Sequence, residues 1–190
     1  MAAEENVKLI LPKERYEWRS KDGPLIFLAG PIRGGGDWQK EACLRLADVF
    51  DKDFCVAVPC RWDEQHPLFE YRVSGLSRFD YQLNWERHYL ELAARKGCIL
   101  FWLPCESKTN PHPGPEPYAM DTRGELGEWR GRLMHDGFGN CGIVIGAEPG
   151  FHGLSQIKRN FSFAIGEEFE IKDTLDATVR SAVGIALNLP

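Results

Sequence analysis

Four short apolar runs, each closed by a glycine or a proline, constrain the fold of this 190-residue chain more than any other feature. Leu25-Ile26-Phe27-Leu28-Ala29 ends at Gly30-Pro31, Phe54 to Val58 at Pro59, Cys98 to Leu103 at Pro104, and Cys141 to Ile145 at Gly146. An uninterrupted run of this kind has no polar face to offer water, which marks a strand buried on both sides. Helical patterns lie between the runs: Asp37 to Phe50 with Asp37 as cap, Tyr81 to Arg95 with Trp85, Tyr89 and Leu92 on one stripe, and Thr122 to His135. This alternation implies an α/β protein, with parallel strands and helices on both faces of the sheet. A weaker fifth strand is expected at Glu168 to Ile171, and a last helix carrying Leu175, Val179, Val183 and Leu187 covers the sheet. Met1 to Lys21 is charged and polar and reads as an N-terminal arm, leaving one domain over residues 22–190.

Composition narrows the partners. With 23 basic against 28 acidic residues the formal charge is −5, which argues against a broad surface for a nucleic-acid polymer or an anionic membrane and leaves room for a small local anion site. No apolar run approaches the roughly 20 residues needed to span a bilayer, and Met1 to Asn6 is acidic where a signal peptide is basic then apolar, so a cytoplasmic protein is expected. Cys43, Cys55, Cys60, Cys98, Cys105 and Cys141 fall mostly in apolar or helical segments and read as buried free thiols. None are spaced Cys-x-x-Cys, and His66, His88, His112, His135 and His152 are scattered, so neither a metal nor a cofactor is expected.

In open parallel sheets, ligands bind beyond the carboxyl ends of the strands, where the strand order reverses. That rule brings together Gly30 to Gly36, Pro59 to His66, and the stretch from Pro104 to Glu125. Thr122-Arg123-Gly124-Glu125-Leu126-Gly127 is the notable part of the last stretch, because glycine inside a helix costs about 1 kcal/mol relative to alanine. Two such glycines suggest that something approaches the backbone closely. Thr122 and Glu125 also fit a capping box, in which the threonine hydroxyl and the glutamate carboxylate satisfy free N–H groups of the first turn. A carboxylate in that turn is alternatively held ionised by the helix dipole, which suits a nucleophile. Glu106 to Tyr118, with Pro111, Pro113, Pro115 and Pro117, is a long loop of the length that forms lids or binding loops.

The residues Ile26-Phe27-Leu28-Ala29-Gly30-Pro31-Ile32, Ile99-Leu100-Phe101-Trp102-Leu103-Pro104 and Glu125-Leu126-Gly127, in that order at successive element ends, resemble the nucleoside 2-deoxyribosyltransferase family over residues 24–146. The resemblance implies a single-domain, flavodoxin-like, doubly wound and mostly parallel five-stranded sheet. It also implies an enzyme that transfers a 2-deoxyribosyl group between nucleobases, with Glu125 as catalytic nucleophile forming a glycosyl-enzyme intermediate. The expected partners are a nucleoside or nucleotide and a free nucleobase, and the expected assembly is a homo-oligomer.

The implied substrate-binding residues are Gly30, Pro31, Ile32 and Arg33 of the glycine-rich loop, Trp85, Glu86 and Tyr89 of the helix before the third strand, and Asp121 and Arg123 beside the nucleophile. A departing base leaves more easily when protonated, and Asp121, Arg123, His112 and Tyr118 compete for that role. Trp38, Trp62 and Phe79 either stack on a base or belong to the core. Two other readings stay open: a nucleoside or nucleotide N-glycoside hydrolase of the same fold, and a non-catalytic nucleotide-binding module. A phosphate-accepting receiver domain is disfavoured, because the strands end in Ala29-Gly30-Pro31 and Pro104 where its chemistry needs acids.

Overall fold

The structure is a computed structural model that describes residues 7–12, 16–59, 78–137 and 141–189, with the backbone alone for 78–80. In chain order the elements are β1 (Val7–Ile10), β2 (Leu25–Ala29), α1 (Trp38–Val49), β3 (Phe54–Ala57), α2 (Arg78–Lys96), β4 (Gly97–Leu103), α3 (Met120–Asp136), β5 (Ile143–Ala147), α4 (Leu154–Ile165) and α5 (Leu175–Asn188). The five strands form one sheet in the order β1-β3-β2-β4-β5, and every neighbouring pair is parallel. This is a flavodoxin-like, doubly wound α/β fold.

The apolar runs are buried on both faces as their sequence demands. All residues of β2, β3, β4 and β5 are buried, and their alternating side chains feed two cores. Leu25, Phe27 and Ala29 point to the side packed by Trp85, Tyr89, Leu126, Trp129 and Phe161, and so by α2, α3 and α4. Ile26 and Leu28 point to the opposite side, against Ala42 and Leu46 of α1 and Val179 and Ala182 of α5. Each fully buried side chain of this size contributes about 1.5–3 kcal/mol by leaving water.

Several expectations are corrected. The fifth strand is β1, within the supposed N-terminal arm: Val7 pairs with Phe54 and Ile10 with Ala57. The segment expected as a strand at Glu168 to Ile171 reaches the sheet only through an isolated bridge between Lys172 and Gly146. Phe169 is buried and packs its ring 5.0 Å from that of Phe161, so this segment is anchored by a side chain more than by a ladder. Gly146, expected to close a strand, lies inside β5. A Cβ there would collide with the Thr178 hydroxyl and lie 2.9 Å from the Trp102 ring, so α5 can sit close to the sheet only over a bare backbone. Helix α4 had no counterpart in the sequence reading. Cys43, Cys55, Cys98 and Cys141 are buried thiols, but Cys105 is partly exposed, and Cys60 lies outside the described residues. Burial pushes the Cys43 thiol up to about 12 and the Cys55 and Cys141 thiols up to about 11.

Residues 16–24 are also tied to the domain. The Tyr16 backbone N–H donates to the Tyr89 hydroxyl at 2.8 Å, and that hydroxyl donates back to the Tyr16 carbonyl at 2.9 Å. The Trp18 indole donates to the Gly23 carbonyl at 3.0 Å.

Candidate functional site

The strand order reverses between β2 and β4, and a cleft of about 380 Å³ opens beyond their carboxyl ends. One wall is the loop after β2, with Gly30, Pro31, Ile32 and Arg33. The opposite wall is the start of α3, with Asp121, Thr122 and Glu125, and Glu86 of α2 enters from a third side. His112, Glu116 and Pro117 of the proline-rich loop complete the lining.

The two loops are clasped to each other. The Ser107 N–H donates to the Gly34 carbonyl at 2.7 Å, and Gly34 has φ of 80°, with its missing Cβ position only 2.8 Å from the His112 nitrogen. Glycine alone fits such a backbone at such a distance. The Trp38 indole donates to the Pro31 carbonyl at 2.8 Å, so this buried tryptophan anchors the loop from the core side. Trp62 and the side chain of Phe79 lie outside the described residues.

Helix α3 begins at Met120, two residues before the expected start. Ala119 is its N-cap, at φ of 61° and without a side-chain cap hydrogen bond. A non-glycine residue in that left-handed region costs roughly 1–2 kcal/mol. Thr122 and Glu125 are therefore both inside the helix, and the capping box does not form. Asp121 takes the first-turn position next to the dipole, while half-buried Glu125 stands in the second turn. Gly124 and Gly127 face open space, with no atom of the described residues outside their own helix backbone within 4 Å of their missing Cβ positions. The expected close approach to them is not made by this chain's described residues.

Of the residues singled out from the sequence, Gly30, Pro31, Ile32, Arg33, Glu86, Asp121 and Glu125 meet in the cleft. Trp85 and Tyr89 do not line it. They are 4% and 0% exposed and belong to a cluster of tilted aromatic rings, Trp85 lying 4.7 Å from Tyr89 and 6.1 Å from Phe27 between ring centroids. Glu86 is held from its own helix by Gln82, whose amide donates at 2.8 Å. Arg123 turns away, donating to the His152 carbonyl at 2.7 Å with its guanidinium 4.9 Å above the Phe151 ring. It lines a neighbouring cavity with Cys105, Tyr118 and His152. Burial, and then the Glu106 and Glu148 carboxylates, hold the Tyr118 phenol well above its ordinary range. Its hydroxyl stays protonated and donates to the Pro104 carbonyl at 2.9 Å.

Glu116 is the lining residue that sequence reasoning missed. Its signal was faint, because proline spacing announces a loop without saying which side chains face inward. Among the described residues, the cleft thus gathers four carboxylates, Glu86, Glu116, Asp121 and Glu125, against one guanidinium, Arg33. Among the described residues no group of three or more His, Cys, Asp or Glu side chains is arranged to hold a metal ion, and no helix is long and apolar enough to cross a membrane. No family model matches the chain, and none of the curated proteins matches it.

Proposed function

We propose that this protein is an enzyme of the nucleoside deoxyribosyltransferase kind, transferring a 2-deoxyribosyl group between nucleobases in the cytoplasm as a homo-oligomer. The observation that carries the reading is the position of Glu125, a half-buried carboxylate in the cleft at the sheet's switch point, facing the Gly30–Arg33 loop. Its carboxylate attacks the anomeric carbon as the glycosidic bond breaks, and the second base then attacks the glycosyl-enzyme from the vacated face. Two inversions give net retention, as in retaining glycosidases. Glu86 and Asp121 accept hydrogen bonds from sugar hydroxyls, with the Gly30–Arg33 loop as the facing wall. Among the described residues of the cleft, four carboxylates against Arg33 favour an uncharged nucleoside over a 5′-phosphorylated substrate, whose dianion they would repel.

Chromatography of products from deoxyribonucleosides incubated with and without a second free base tests the reading. New nucleosides are expected from wild type. Glu125→Ala should lower their formation by roughly 10³-fold or more, as expected for loss of a nucleophile, with the fold retained. Free base and sugar as the only products would instead identify a hydrolase. Near-normal transfer by Glu125→Ala would overturn the assignment of the nucleophile.

A further inference from the structure

A nucleobase that departs with the electron pair of its glycosidic bond needs a proton, and a base that replaces it must shed one. The group that serves both steps has to give and regain the same proton, which imidazole does near neutrality without the environmental tuning that a carboxyl group needs. Among the described residues lining the cleft, His112 is the one imidazole.

Its setting is constrained on several sides. The His112 backbone N–H donates to the Glu106 carboxylate at 2.9 Å, and the Gly34 backbone packs against the same peptide. The ring's Nε2 is occluded, makes no hydrogen bond among the described residues, and lies 3.9 Å from a Glu116 carboxylate oxygen. Both groups turn over the bare Cα of Gly114, where a Cβ would collide with the Glu116 carboxylate and crowd His112 Nε2 at 3.1 Å. The imidazole is therefore fixed at its backbone, with the Glu116 carboxylate within ion-pairing distance of Nε2, so the exchanged proton is assigned to the other nitrogen, Nδ1.

We infer that His112, oriented by Glu116, is the acid–base residue that protonates the departing nucleobase and deprotonates the incoming one, an assignment that rests on the transfer reading above. In the first half-reaction the C1′–N bond breaks, its electron pair passes to the base nitrogen, the imidazolium supplies the proton, and Glu125 forms the new C1′–O bond. In the second, the incoming base nitrogen forms the C1′–N bond, the C1′–O pair returns to Glu125, and neutral His112 takes the N–H proton. The proton and the carboxylate are both restored. Glu116 acts through His112 and is a positioning residue.

The test measures donor-base release in a single turnover from two pairs of donors: a purine deoxynucleoside against its N7-methylated cation, and deoxyuridine against its 5-fluoro analogue. His112→Ala should lose about 10²-fold or more on the unactivated member of a pair. It should lose far less on the activated member, whose base leaves with little or no help from an acid. Glu116→Gln should show the same split in smaller measure. Equal loss on both members, as a structural role would give, overturns the assignment, and so does no loss on either. Glu125→Ala separates the two levels: if it abolishes release while His112→Ala shows no split, this inference alone fails. If wild type releases no base from any of the four donors, the transfer reading fails and takes this inference with it.

Discussion

On one wall of the cleft a methyl group added at Gly30 would be driven into the Trp102 carbonyl oxygen, and one at Gly34 would stand 2.8 Å from the His112 nitrogen. On the opposite wall, Gly124 and Gly127 of α3 have nothing within 4 Å of the same position. In the loop, glycine exists because two backbones meet and because φ of 80° at Gly34 excludes side chains. In the helix no contact among the described residues explains it, and there the residue adds conformational entropy to the unfolded state. The same amino acid thus marks a tight junction on one side and an unexplained cost on the other, a distinction that the sequence alone does not make.

Substitutions can break that contrast. Gly34→Ala should have the largest effect, because the strain and the clash act together. It should lower stability by about 1–3 kcal/mol, seen as a drop of several degrees in Tm, and should reduce turnover by displacing His112. Unchanged Tm and turnover would show that the two loops are not clasped as described. Tyr89→Phe comes next and serves as a control of similar size away from both walls. It removes both hydrogen bonds to Tyr16 and should cost about 1–2 kcal/mol in urea unfolding, with base release kept. Gly124→Ala and Gly127→Ala should have the smallest effects and the opposite sign, each raising stability by about 0.5–1 kcal/mol in the same measurement. If either instead lowers stability or changes the oligomeric state by light scattering, that helix face is covered by a partner.

Much of the fold was legible because burial on both faces leaves a strong trace. Leu25–Ala29, Phe54–Ala57 and Gly97–Leu103 contain little that water could accept, and chain order at their ends located the cleft. β1 was not legible, because an edge strand of four residues that buries only Ile10 fully can carry Lys8 and a charged neighbourhood. Trp85 and Tyr89 show how a site can be misread beside the right answer. They share one helical stripe with Leu92, as core residues do, yet the family resemblance implied substrate contact for them. One residue along a helix turns about 100°, so Glu86 faces the cleft while its neighbour does not. Arg123 has the same lesson two residues before Glu125. Its long side chain reached a carbonyl and an aromatic ring from the α4 side, partners that no local pattern could reveal.

The pairing of β1 with β3 has a consequence for how the protein is made. β1 is synthesised before the strand it pairs with, Phe54–Ala57, which follows only after β2 and α1. Val7–Ile10 must wait, its ladder hydrogen bonds unmade, until β3 has emerged. The Tyr16 backbone waits longer still for the Tyr89 hydroxyl. A segment synthesised early in this domain is thus among the last to find its place, and the nascent chain carries β1 unpaired until β3 is made.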